Sequence, residues 1–372
     1  MHYHTASYCQ RFILTQEFVA SGAGTGAADA VMQTARHAGP SLVGRTTFML
    51  SSPFLEPGSD FRGISVNFRN QIIELLDIAV TPGNATEMIA FCNGLEQDHP
   101  YIPSDLKWVL DYKRFQAEIA RGAAGSALAH IKAAIALAPY HDDLQKVYRQ
   151  LIKKSPVNTS LALIISCKRY EENARRLAVQ LDTTQLPYLI ITGNDTAPID
   201  HPRAVQVDAP DNYEGLPRKL TAAFQWVYEN IDSQVGVLKL DDDHTVVDPA
   251  RLLATVNQLK REDVYAGFPV ATLSHDRCWH WNKCQDPALN RAVYGKPFVR
   301  PWARGGVYYL GAGPLEKFVS ATTRFPGLLA GEFYEDKLVG DVLGFENVPL
   351  RPMQSEAEFG LNMDTQHRFI ET

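Results

Sequence analysis

From Leu161 onward the chain changes its hydrophobic period, and that change constrains the fold more than any other feature. Leu161-Ala162-Leu163-Ile164-Ile165-Ser166 is an apolar run of strand length, the pattern of a strand buried on both faces. Glu171 to Leu181 reads as a helix, and Tyr188 to Gly193 as a second strand. Ala204 to Val207 reads as a third strand, Leu220 to Asn230 as a helix, and Val235 to Leu240 as a fourth strand. Strands that alternate with helices in this way predict an open, mostly parallel α/β sheet. Ligands of such sheets bind beyond the carboxyl ends of the strands, so that edge is where chemistry is expected.

The material upstream is different, and the sequence divides into a mainly helical domain over residues 1–155 and an α/β domain over 156–372. Phe68, Ile72, Leu75, Leu76 and Ala79 recur at helical spacing until Pro82-Gly83 stops the run. Further helices are predicted over Ala85–Leu95, Asp105–Arg121 and Ser126–Ala138. The segment Ala127 to Pro139 looks like the second helix of a tetratricopeptide repeat, which suits a protein partner or self-association. Ser21 to Ala28 is glycine-rich, but no Lys-Ser/Thr pair follows it, so it reads as a flexible turn or helix entry rather than a phosphate loop.

Composition narrows the class. Hydrophobic residues at 45% and charged residues at 21% can build a sizeable core, which excludes wholesale disorder. A net charge of −6 argues against a nucleic-acid coat. No apolar run approaches the roughly 20 residues that span a bilayer. Met1 to Gln16 lacks the basic-then-apolar layout of a secretory signal. Five cysteines without a CxxC pair fit a reduced protein, and a cytoplasmic location is expected.

The fourth strand runs straight into Asp241-Asp242-Asp243, followed by His244. Adjacent carboxylates at a strand end repel one another unless a cation offsets them. Hard divalent ions often bind through one or two carboxylates plus substrate phosphates. A metal site and a solvated acidic turn both fit the residues, and the strand-end position favours the metal. A second group, His275, Cys278, His280 and Cys284, has residue types that suit zinc. Its spacing matches no structural zinc pattern; with Trp279 and Trp281 interleaved, an acceptor-binding loop with aromatic platforms fits better, and a plain loop fits as well as either.

Three segments in order carry a family resemblance. Asp211-Asn212-Tyr213-Glu214-Gly215-Leu216-Pro217-Arg218-Lys219-Leu220 precedes a helix with Trp226 and then Lys239-Leu240-Asp241-Asp242-Asp243. Pro301-Trp302-Ala303-Arg304-Gly305-Gly306-Val307-Tyr308-Tyr309-Leu310 follows, and then Glu335-Asp336-Lys337-Leu338-Val339-Gly340. Together they resemble the β1,3-galactosyltransferase and Fringe type of glycosyltransferase, family 31, over roughly Leu161 to Leu350. The resemblance implies a GT-A (Rossmann-like) nucleotide-sugar domain, with Mn²⁺ or Mg²⁺ holding the diphosphate of a UDP-sugar donor. It implies inverting transfer of a galactose or N-acetylhexosamine to a glycan or glycolipid-precursor hydroxyl in β1,3 linkage.

Carried over residue by residue, Asp241 and Asp243 become metal ligands, and Asp242 or Asp241 meets the ribose or a metal-bound water. Lys219 meets donor phosphate or holds the aspartates, and Arg304, Gly305 and Gly306 approach the donor. Asp336 becomes the general base, with Glu335 raising its pKa or binding the acceptor. The family usually adds a histidine ligand near the C-terminus. Gln354 occupies the stretch where one is expected, which leaves His367 as the candidate. The family's usual N-terminal membrane anchor is not seen, so a bacterial-type enzyme acting on a cytoplasmic precursor is expected. Two other readings of the acidic cluster are a Mg²⁺-dependent phosphotransferase and a binding or scaffold protein whose helical domain is the working part.

Overall fold

The computed structural model describes residues 66–152, 160–231, 235–270, 278–298 and 300–363. The chain divides into two compact units at Leu151/Ile152, and each is considered by itself. The glycine-rich segment Ser21–Ala28, His275 and His367 lie outside the described residues.

The helical unit contains α1 (Val66–Glu74), α2 (Ala85–Asp98), α3 (Ser104–Ala120), α4 (Ala124–Leu137) and α5 (Asp142–Ile152), the last reaching the unit boundary. Ile72, Met88, Cys92, Leu95, Leu106, Val109 and Leu110 form its core, at the 3–4 spacing that gives each helix one apolar face. Charge is buried inside it as well. Arg114 reaches Asp111 (3.0 Å), Glu96 (2.7 Å) and the Cys92 carbonyl (3.1 Å). Lys113 is 1% exposed and donates to the carbonyls of Leu76 and Ile78. These bonds are what make burial of the two cations tolerable.

In the second unit the strands are β1 (Ser160–Ile165), β2 (Tyr188–Gly193), β3 (Ala204–Val207), β4 (Gly236–Asp241), β5 (His244–Val246), β6 (Tyr265–Val270), β7 (Trp302–Leu310), β8 (Leu350–Pro352) and β9 (Leu361–Met363). The helices are α6 (Glu171–Asp182), α7 (Leu216–Asn230), α8 (Pro249–Glu262), α9 (Ala312–Arg324) and α10 (Glu335–Phe345). One described sheet has the order β3-β2-β1-β4-β7-β6-β8, and β5 and β9 form a small ribbon. Neighbours pair in parallel except at β7, which runs antiparallel to both β4 and β6. The sheet is therefore mostly parallel, as the alternation predicts, with one reversed strand that the alternation does not reveal.

Alternation along β4 decides what each face receives. Leu238 and Leu240 lie in a core with Ala174, Leu177 and Leu181 of α6 and Leu252, Val256 and Leu259 of α8. Val237, Lys239 and Asp241 must therefore share the opposite face, by the two-residue period of a strand. That is the side on which Lys239 reaches Glu335 at the start of α10. Phe224 of α7 meets Phe318 of α9 edge-on at 5.5 Å, which joins two of the remaining helices. Helix α7 starts at Leu216, four residues before the predicted start, because Pro217 sits in its first turn where a missing N–H costs nothing.

Candidate functional site

The strand order identifies a place before any side chain is considered. From β1 the chain moves outward through β2 to β3, then returns to lay β4 on the other side of β1. This is a topological switch point, and its crevice lies beyond the carboxyl ends of β1 and β4. Ser166 follows β1 there, and Asp241-Asp242-Asp243 closes β4. Ser166 Oγ donates to Asp242 Oδ2 at 2.5 Å, bridging the two strand ends.

The three aspartates have separate surroundings. Asp242 is 9% exposed, and burial pushes its carboxyl up to about 7 despite the bond from Ser166. Asp241 keeps 40% of its side chain in contact with solvent, while its Oδ1 accepts from Lys239 Nζ at 2.5 Å. Burial of its surroundings and the neighbouring Glu335 and Asp243 outweigh that ammonium and raise Asp241 to about 6. Asp243 Oδ1 faces His244 Nδ1 at 3.2 Å. His244 is fully buried, pairs through Nε2 with Glu356 at 3.5 Å, and is raised to about 9. Burial opposes that rise, and the bonds to Asp243 and Glu356 overcome it. The imidazolium holds Glu356 below its usual range, with help from Arg304 nearby.

Opposite the triplet stands a carboxylate pair. Glu335 and Asp336 open α10, whose N-terminal dipole favours negative charge. Burial nevertheless wins at Asp336, and with Glu335 beside it the carboxyl is raised to about 7. Its oxygens are fixed separately: Trp302 Nε1 donates to Oδ2 at 3.2 Å and the Lys337 amide to Oδ1 at 2.8 Å. A Cβ on Gly340 would overlap Trp302 Cβ and come within 2.9 Å of its Cα, so glycine lets α10 lie directly on β7. Gly305 serves the other side of that contact, since a Cβ there would sit 2.9 Å from Glu335 Oε1 and 3.3 Å from Asp336 Oδ2.

Lys239 joins the halves. Its side chain is completely buried, and Nζ donates to Asp241, to the Gly305 carbonyl and to Glu335 at 3.4 Å. In the sequence this lysine stands only as one residue of the Lys239-to-Asp243 motif. The signal that could have exposed it is its position two residues before Asp241, which puts both on one face of the strand.

The other candidates fall as follows. Lys219 is 1% exposed and gives its ammonium to Asp211 Oδ1 (2.5 Å) and the Ser166 carbonyl (3.0 Å). Asp211 also accepts from the amides of Gly193 and Lys168 and from Thr196, so this pair braces the ends of β1 and β2. Lys219 thus holds an aspartate, and that aspartate is Asp211 rather than one of the triplet. Arg304 is exposed and Gly306 is buried in β7.

Within the histidine-cysteine group, His280 is held by its own neighbours. His280 Nε2 must donate to the Ala292 carbonyl (3.0 Å), so Nδ1 accepts from the Tyr334 hydroxyl (2.7 Å). No ring nitrogen is left for zinc. Among the described residues no three His, Cys, Asp or Glu side chains are already gathered as a metal site. The triplet instead offers two carboxylates with solvent contact, Asp241 and Asp243, which is the number a Mg²⁺ or Mn²⁺ ion takes from protein when substrate phosphates complete its shell.

The fold and site thus define an α/β protein with an acidic switch-point crevice. No family model matches the sequence, and no curated protein matches it, so the family-31 resemblance rests on its three motifs alone. A crystal structure of 4-diphosphocytidyl-2C-methyl-D-erythritol synthase matches with a TM-score of 0.36 and 14% identity, over 58% of this chain and 97% of that one. No helix among the described residues is long and apolar enough to cross a membrane.

Proposed function

We propose that this chain is a metal-dependent inverting glycosyltransferase that moves a hexose from a UDP-sugar to a hydroxyl of a glycan acceptor. The observation that carries the reading is the division of labour among the carboxylates. The aspartate triplet closes the switch-point crevice, and a separate pair, Glu335 and Asp336, faces it across Lys239. A galactose or N-acetylhexosamine donor, a β1,3 linkage and a cytoplasmic glycan precursor are the finer form of the same proposal.

Asp241 and Asp243 would hold a divalent cation, whose chemistry is to offset the charge of the departing diphosphate. Asp336 is the base. Its carboxylate takes the proton of the acceptor hydroxyl as that oxygen forms a bond to the anomeric carbon. The bond from that carbon to the diphosphate oxygen breaks, and UDP leaves with the electron pair. Burial and the neighbouring Glu335 raise Asp336 to about 7, which makes it a stronger base than an ordinary carboxylate, the direction that general-base catalysis favours. Trp302 and the Lys337 amide fix its orientation, and Gly305 lets β7 lie close against both carboxylates.

Calorimetric titration with UDP, with and without Mn²⁺, tests the donor half. Binding is expected only with the metal, and Asp243→Ala is expected to abolish it while leaving the fold intact. Asp336→Asn is expected to keep UDP binding and lose transfer. Absence of binding under either condition would defeat the glycosyltransferase reading in its UDP form.

A further inference from the structure

The strap over residues 278–298 carries two large exposed aromatic side chains, and Trp279 packs on the residues that adjoin the carboxylate pair. Trp279 is 40% exposed and Trp281 46% exposed, on either side of the fully buried His280. His280 is locked between Tyr334 and Ala292, and the Trp281 indole N–H donates to the same Ala292 carbonyl at 2.8 Å. Trp279 packs edge-on against Tyr334 at 5.7 Å and Trp302 at 6.5 Å. Tyr334 immediately precedes Glu335, and Trp302 is the residue that holds Asp336.

The strap is tied down at several points. Glu214 accepts from the amides of Gln285 and Asp286 at 3.1 and 3.0 Å. Tyr294 and Lys296 both bond Glu332, each at 2.5 Å. Lys283 lies over the Tyr213 ring at 5.3 Å. Solvated indole surface is normally a cost, and here it is held rigid rather than folded away. An exposed indole seated on Tyr334 and on Trp302, the donor to Asp336, matches a ligand that is apolar on one ring face and hydroxylated around its edge.

We propose that Trp279 and Trp281 form the acceptor subsite, which takes a pyranose ring by its C–H face and directs a ring hydroxyl towards Asp336. This rests on the glycosyltransferase reading for its choice of ligand, yet it can be measured without turnover. The probes are methyl galactoside, methyl glucoside and methyl N-acetylglucosaminide, observed by saturation-transfer NMR on the full chain. At least one is expected to receive saturation on its ring C–H protons, and the signal is expected to fall at least fivefold in Trp279→Ala. Trp281→Ala, at a more exposed position, is the second variant, with the same direction expected. Trp279→Phe keeps an aromatic face and should restore at least half the signal.

The UDP and Mn²⁺ titration is run on the same samples. Unchanged UDP affinity in both alanine variants alongside lost saccharide signal supports the acceptor subsite. Loss of UDP affinity in Trp279→Ala would instead place a nucleobase on the indole and overturn the proposal. A panel that gives no signal with wild-type protein, or a signal untouched by both alanine changes, also overturns it. If UDP fails to bind wild-type protein while saccharide still does, the donor reading falls and the aromatic subsite stands.

Discussion

Replacing Lys239 by Met tests the central electrostatic claim, because it keeps the buried stem and removes only the ammonium. The wild-type Nζ serves Asp241, the Gly305 carbonyl and Glu335 from a position without solvent. Removing one partner of a buried ion pair costs about 3–5 kcal/mol, since the remaining charge stays behind. Asp241 keeps 40% of its side chain in contact with solvent, so water relieves part of that cost and the lower end is expected. At about 2–4 °C per kcal/mol for a unit of this size, the melting temperature should fall by about 6–12 °C at pH 8.

The pH dependence follows from the carboxylates. Asp241 is already raised to about 6, and without the lysine it rises further. Above the ordinary carboxylate range the native state then holds more protons than the unfolded state, so stability falls as pH rises. The variant's deficit should therefore be largest at pH 8 and shrink towards pH 5. Circular-dichroism melts at the two pH values read both quantities. A deficit below about 2 °C at pH 8, or one equal at both pH values, would refute the idea that this lysine neutralises the site.

Three further outcomes are expected. Burial and Glu335 raise Asp336 from the ordinary 3.8 to about 7, so wild-type stability is expected to fall as pH rises across that window. Asp336→Asn should consequently melt higher than wild type at pH 8, by about 1–2 kcal/mol after allowing for partial solvation, with the gain absent at pH 4 in the same melts. Gly340→Ala puts a methyl group into Trp302 and should cost about 1–3 kcal/mol in a urea titration, despite alanine's better helix propensity. Gly305→Ala brings a Cβ to 2.9 Å from Glu335 Oε1 and 3.3 Å from Asp336 Oδ2, so the pair must shift, and kcat/KM for transfer should fall by about ten- to a hundredfold; unchanged kinetics would move the reacting centre elsewhere.

Local pattern was a good guide where one surface dictated the sequence. The strands at Tyr188–Gly193 and Ala204–Val207 stand at their expected bounds, and β1 and β4 are displaced by one residue. Strands buried on both faces leave an apolar run that little else imitates. The direction of strand β7 depends on pairing with β4 and β6, which no local period encodes. Helix α5 went unforeseen although Asp142 and Asp143 open it. The short strands β5, β8 and β9 hold three residues each, too few to display alternation. At the site, the acidic triplet and the Glu335-Asp336 pair were visible as residue types. What joins them was hidden, because a lysine in an apolar strand looks like an interruption until its partners arrive from 66 and 96 residues downstream.

That delay matters while the chain is being made. Gly236-Val237-Leu238-Lys239-Leu240-Asp241 leaves the ribosome before Gly305 and Glu335, so β3-β2-β1-β4 can assemble with β4 as an open flank. An apolar strand with free backbone hydrogen-bonding groups would recruit a neighbouring nascent chain. A charged lysine in the middle of it acts as a gatekeeper, since pairing with a stranger would desolvate an ammonium that finds no carboxylate. The same residue that neutralises the finished crevice is thus expected to keep the unfinished sheet soluble, and Lys239→Met should shift expressed protein into aggregates beyond what its loss of stability accounts for.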